Sequence, residues 1–127
     1  MSRAAFTIKA FGVYLLALGL VLILVPNLLL ALFGLPETRE VWIRVLGVVV
    51  FNLGVYYWYA AKSEARPFFL ASVFTRAFVL AAFVVFVAAG LVKPILILFG
   101  AVDFGGGVWT FQSMKKDRRS RRRISRI

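Results

Sequence analysis

The chain has 127 residues, of which 62% are hydrophobic, carries a formal net charge of +11, and contains neither cysteine nor histidine. A soluble domain sits near half apolar; the excess here gathers into four segments of about 20 residues or more, long enough to cross ~30 Å of hydrocarbon. The missing Cys and His exclude a disulfide framework, thiol redox chemistry and the usual ligands of haem, zinc and iron–sulfur centres, so no metal or cofactor is expected and any catalysis would run on Asp, Glu, Arg, Lys, Tyr, Ser or Thr.

The first apolar segment, from about Ala10 to Phe33, exceeds the 7–15-residue apolar core of a signal peptide, and is read as a retained transmembrane helix over residues 5–33. Gly12, Gly19 and Pro26 recur at seven-residue spacing, so they share a face on which a neighbouring helix can approach closely. Pro26 predicts a kink, and Asn27 beside it a side chain able to re-satisfy freed backbone. Gly34 suits a helix C-cap and Pro36 the stop beyond it. Thr38, followed by acids, suits the start of a second helix over 39–61. There Gly47 and Gly54 repeat the seven-residue spacing, which predicts a close antiparallel hairpin with helix 1. Glu40 and Arg44 stand at i,i+4, Asn52 lies mid-helix, and Tyr56, Tyr57, Trp58 and Tyr59 form an interfacial aromatic cluster.

Residues 61–67 form a polar turn, with Pro67 in the first turn of a third helix over 67–90. Ser72, Thr75 and Arg76 make one narrow polar stripe on that otherwise apolar helix. A turn at Gly90–Pro94 leads to a fourth helix over 94–113, where Gly100, Asp103, Gly106, Gly107 and Thr110 fall on one side. Each half of the chain is thus an apolar helix, a Gly- and Pro-containing turn and a second helix bearing a charge, which suggests a duplicated hairpin. The expected fold is an all-α integral membrane bundle of four transmembrane helices in two antiparallel hairpins. Residues 1–114 form the bundle and 115–127 a polybasic tail.

Lys and Arg favour the cytoplasmic side of short loops. Arg3 and Lys9, then Lys62 and Arg66, then the tail lie on one side, against Arg39, Lys93, Glu37 and Glu40 on the other. Both termini are therefore expected in the cytoplasm of a bacterial inner membrane. Lys115, Lys116, Arg118, Arg119, Arg121, Arg122 and Arg123 would hold anionic headgroups at about 1 kcal/mol per residue. No aromatic residue interleaves them, so nucleic-acid stacking has no support.

Asp103 is the one acid inside a long apolar segment. At about 1.5 Å per residue, Arg44 lies roughly 10 Å from the outer turns, Asp103 about 16 Å, and Arg76 and Asn52 about 22–24 Å. Arg44, Asn52, Ser72, Thr75, Arg76 and Asp103 are therefore the candidate polar site. It is either a buried ion pair or triad that sets helix register, or a pocket for a polar or anionic group. Two arginines against one aspartate leave positive charge over, which favours an anion, although Glu40 could balance Arg44.

Trp42-Ile43-Arg44-Val45-Leu46-Gly47, Thr75-Arg76 and Leu98-Phe99-Gly100-Ala101-Val102-Asp103 together resemble the small four-helix bacterial membrane proteins grouped as DoxX-like or BphX-like. That resemblance covers nearly the whole chain. It implies an inner-membrane bundle of undefined biochemistry, in a group some of whose members are associated with quinone-linked oxidoreductases, and it carries over no catalytic residues. Small multidrug transporters are less similar, because helix 1 here lacks their coupling glutamate. The expectation is a non-enzymatic lipid- or quinone-binding module, or an accessory subunit of a membrane complex, with lipids and a homo-oligomer or larger assembly as partners. The alternatives are a proton-coupled homodimeric transporter with Asp103 as coupling site, and an intramembrane enzyme on lipids with Asp103 as acid or base.

Overall fold

The computed structural model describes residues 1–126. The described residues contain five α-helices and no strand: α1 Arg3–Leu24, α2 Pro26–Leu32, α3 Trp42–Lys62, α4 Arg66–Ala88 and α5 Leu96–Ser125. α1, α3 and α4 are long and apolar enough to cross a membrane. α5 is not among them, being diluted by Asp103, its glycines, Gln112 and Ser113. The chain divides into two units, one of residues Met1–Ile8 and Ala60–Ile127 and one of Lys9–Tyr59.

In the unit of residues 9–59, the helix expected to bend at Pro26 is instead interrupted. Val25 leaves helical geometry at φ −138°, ψ 56°, and Pro26 opens α2. Proline has no N–H to donate and pushes the residue before it out of the α region. Gly34, at φ +68°, then ends α2, with Leu35 N–H on Leu30 O at 2.8 Å and Gly34 N–H on Ala31 O at 3.1 Å. That is a Schellman end, and glycine takes the left-handed position without strain. Asn27 clamps the following loop rather than the broken backbone, donating to Thr38 O at 3.1 Å and accepting from Thr38 N at 2.9 Å.

The glycine face has its predicted partner. A Cβ at Gly19 would lie 2.7 Å from Phe51 Cβ and N, one at Gly54 would lie 2.8 Å from Leu16 N, and one at Gly47 would lie 2.8 Å from Leu22 Cβ. Residues advancing along α1 meet residues receding along α3, so the two run antiparallel at backbone contact. At the end of this pair Phe11 sits on Tyr57, with ring centroids 5.4 Å apart, and the Lys9 ammonium lies 4.6 Å from the Trp58 ring centre.

In the other unit α4 and α5 run antiparallel. Gly107 lies against Val73 and Arg76, and Gly100 against Leu80 and Phe83. α4 buries Phe69, Ser72 and Arg76 while Phe74, Phe78 and Val85 are well exposed. Apart from Phe69, the buried positions are polar while large apolar side chains face outward, the reverse of a water-facing helix. Gly90 makes a second Schellman end, with Leu91 N–H on Phe86 O at 2.9 Å. The end of α3 has the same bond pattern, Ala65 N–H on Ala60 O at 3.0 Å, but Glu64 fills the left-handed position at φ +53°.

The basic segment expected as a tail over residues 115–127 continues α5 to Ser125; residue 127 lies outside the described residues. Arg and Lys are good helix formers, no Gly or Pro follows Gly107, and Arg122 and Arg123 in the last turn suit the negative end of the helix dipole. Asp117 also ties this extension back to the start of α1, accepting from Arg3 N at 3.2 Å and Ala4 N at 3.0 Å. Glu64 accepts from Ser2 N at 2.6 Å and Ser2 Oγ at 2.7 Å. Two carboxylates therefore satisfy amides that the first turn of a helix leaves without partners.

Candidate functional site

Arg76 lies in the middle of α4 and is 3% exposed. Its Nε donates to Ser72 O at 3.1 Å, and its Nη2 donates to Ser72 Oγ at 2.9 Å and to Thr110 Oγ1 of α5 at 3.0 Å. Thr110 is fully buried, and its Oγ1 lies 2.7 Å from Thr7 Oγ1 of α1. Each hydroxyl has one hydrogen to give. Thr7 spends its own on Ala4 O at 2.7 Å, so Thr110 donates to Thr7. Ser72 likewise spends its hydrogen on Phe69 O at 2.7 Å. The order is therefore Arg76 to Thr110 to Thr7 to Ala4 O, and both hydroxyls that face the guanidinium turn their lone pairs toward it.

The acceptors in this array are neutral oxygens. They satisfy donors of the guanidinium without cancelling its charge, and an arginine does not deprotonate in a protein. A buried charge is expensive to desolvate, and it favours the approach of a negative or electron-rich group. Asp103 is placed to contribute. It lies between Gly100, which packs on Leu80 and Phe83, and Gly107, which packs on Val73 and Arg76. Asp103 is thus half-buried on the α4-facing side of α5, within electrostatic reach of Arg76.

Of the residues expected to form the polar site, Ser72, Arg76 and Asp103 gather on facing sides of α4 and α5. Thr75 belongs to the same stripe but is exposed, its hydroxyl bonded to Ser72 O at 3.2 Å. Arg44 and Asn52 belong to the unit of residues 9–59. Asn52 is exposed. Arg44 donates from Nη1 to Ile23 O, one of the last carbonyls of α1, which the break before Pro26 leaves without a helical partner. The expected i,i+4 pairing of Arg44 with Glu40 is not formed, because α3 begins at Trp42 and Glu40 precedes it. Arg44 instead acts as a C-cap delivered from a neighbouring helix, where a cation suits the dipole.

Thr7 and Thr110 are the members that sequence reading missed. Thr110 was visible only as a small residue on the Asp103 face, four positions before which stands Gly106. Thr7, between Phe6 and Ile8, carries no signal of its own. Among the basic residues, Lys115 extends over Phe111, with its ammonium 4.7 Å from the ring centre, and Arg118, Arg119, Arg121, Arg122 and Arg123 are exposed along α5. Among the described residues no three His, Cys, Asp or Glu side chains form a group able to hold a metal. No family model, curated protein or solved structure matches the chain.

Proposed function

We propose that the chain is a multi-pass protein of a bacterial inner membrane, a four-helix bundle of two antiparallel hairpins with both termini in the cytoplasm. In this reading it is a non-enzymatic module that receives the polar head of a lipid or quinone at Arg76, alone or as an accessory subunit of a membrane complex. The observation that carries it is the buried guanidinium in mid-α4, held by Ser72 and Thr110 on a helix whose apolar side chains face outward. An ionisable group at such depth is costly and is usually tied to function or to a partner in the bundle. The resemblance to DoxX-like proteins points the same way. The basic face of α5 would rest on anionic headgroups of the inner leaflet.

The test is to purify the protein in mild detergent and identify the amphiphiles that copurify by mass spectrometry. Wild type should retain a quinone or lipid that Arg76→Gln loses while keeping its helical content. Equal recovery from both proteins removes Arg76 as the receiving group. A second reading, a proton-coupled transporter, rests on Asp103 lying half-buried on the α4-facing side of α5, within electrostatic reach of Arg76. It requires Asp103→Asn to abolish proton-driven uptake in liposomes with folding intact; unchanged uptake rules Asp103 out as the coupling site.

A further inference from the structure

The unit of residues 1–8 and 60–127 has an open cleft of about 420 Å³ between the first turns of α1 and the last turns of the apolar part of α5. Its lining includes Arg3, Phe6, Thr7, Trp109, Ser113 and Lys116. The spacing puts these residues there: 3, 6 and 7 share one face of α1, and 109, 113 and 116 share one face of α5. Three features are distinct from the Arg76 centre. First, the cleft has two bases at its rim. The nearby carboxylates are committed to backbone amides, Asp117 to Arg3 N and Ala4 N, and Glu64 to Ser2, and no ion pair engages the Arg3 guanidinium or the Lys116 ammonium among the described residues. Second, Phe6 and Trp109 meet edge to face with centroids 6.0 Å apart, yet are 57% and 46% exposed. Third, Ser113 is 6% exposed and its hydroxyl has no hydrogen-bond partner among the described residues.

We infer that this cleft binds one anionic phospholipid of the surrounding bilayer. Arg3 and Lys116 flank its phosphate, the Ser113 hydroxyl donates to a phosphate or ester oxygen, and the Phe6–Trp109 pair receives the glycerol end of an acyl chain. The charge argues for an anion and the exposed aromatic pair for an amphiphile; the volume falls within the 300–1,000 Å³ usual for small-molecule sites. Thr7 connects the floor of the cleft to Thr110 and so to Arg76, which adds positive potential from below. The inference rests on the proposal that the chain is membrane-embedded, and it adds a second site whose lipid class is specified.

The experiment is native mass spectrometry of the full chain released from nanodiscs holding equal phosphatidylglycerol and phosphatidylcholine. Wild type should retain one phosphatidylglycerol. Basic groups near a charged surface are each worth about a fivefold change in binding, so Arg3→Gln/Lys116→Gln should lower retention about 25-fold. Arg39→Gln/Lys93→Gln removes equal charge from exposed positions that line neither this cleft nor the basic face of α5 and should stay within about twofold of wild type. Arg3→Lys/Lys116→Arg should keep the lipid. Should the first double variant lose helical content, Ser113→Leu, which fills the floor and keeps all charge, must lower retention instead. Equal losses from the two Gln pairs, equal retention of phosphatidylcholine, or displacement of the lipid by millimolar glycerol 3-phosphate each overturns the inference. Release of the wild-type chain from membranes by alkaline carbonate would instead overturn the membrane reading itself.

Discussion

Thr110 shows how a single hydroxyl can couple three helices: it accepts from Arg76 of α4 and donates to Thr7 of α1. Thr110→Val keeps the shape and removes both bonds, leaving a charged donor short of an acceptor. It should lower stability by about 1–3 kcal/mol, read as a fall in unfolding midpoint in detergent, while Thr110→Ser should stay close to wild type. Glu64 is the second residue with a measurable signature. Burial raises its carboxyl pKa, but the bonds from Ser2 N and Oγ and the positive charges of the amino terminus and Arg66 outweigh that and hold it below the ordinary value of 4.5. A depressed folded-state pKa contributes stability that is fully present above the unfolded value and is lost as pH falls through the folded one. Wild type should therefore lose stability below about pH 4.5 more steeply than Glu64→Gln; parallel pH profiles would show that the Ser2 contact is energetically silent. Arg76 was legible from sequence because an arginine in an apolar helix stands out. Thr7 and Thr110 were not, since a threonine satisfies its own helix as readily as a neighbour's guanidinium.

At the scale of elements, two mid-helix glycines should behave oppositely. Gly19→Ala places a Cβ against the Phe51 backbone and should destabilise by about 1–3 kcal/mol through overpacking. Gly105 has open space around it, so Gly105→Ala should gain up to about 1 kcal/mol of helix propensity. Unfolding midpoints of the two single variants decide this, and a stabilised Gly19→Ala would contradict the backbone contact. Arg44 and Pro26 form a coupled pair of a different kind. The break before Pro26 frees Ile23 O, and Arg44 caps it. Arg44→Met should cost about 1–3 kcal/mol in the wild-type background and clearly less alongside Pro26→Ala, where a restored N–H lets the helix run on. An additive double-mutant cycle would refute the link. The seven-residue glycine spacing was readable because close helix contact requires small residues on one face. The cap was unreadable, because it joins positions 23 and 44 through a fold, not through a periodicity.

At the scale of the whole molecule, the charge distribution makes a prediction that the cysteine-free sequence allows to be tested cleanly. Ser63→Cys and Ser120→Cys should react with an impermeant maleimide only after the cytoplasmic face is exposed, and Glu37→Cys should react from the opposite side. Labelling of position 37 and position 120 from the same side would overturn the proposed topology. The basic run after residue 114 belongs to this scale too. Composition predicted it as a segment that meets anionic headgroups; in the structure it continues α5 as helix, and its Asp117 accepts from the first amides of α1.

The sequence by itself determined the all-α class, the close glycine contact of α1 with α3, and the presence of Arg76 and a lone acid, Asp103, inside apolar helices; of the four long apolar helices it predicted, three are long and apolar enough to cross a membrane. Each follows from periodicity, composition or the cost of burying charge, which act along one helix at a time. Only the tertiary structure decided that Arg44 serves the broken end of α1, that Ser72, Thr110 and Thr7 surround or extend the Arg76 centre, and that Arg3 and Lys116 flank one cleft. The reason is that hydrogen bonds and charges act through space over a few ångströms. A neighbour tens of residues away, such as Thr7 to Thr110, is invisible until the chain has brought it within that reach.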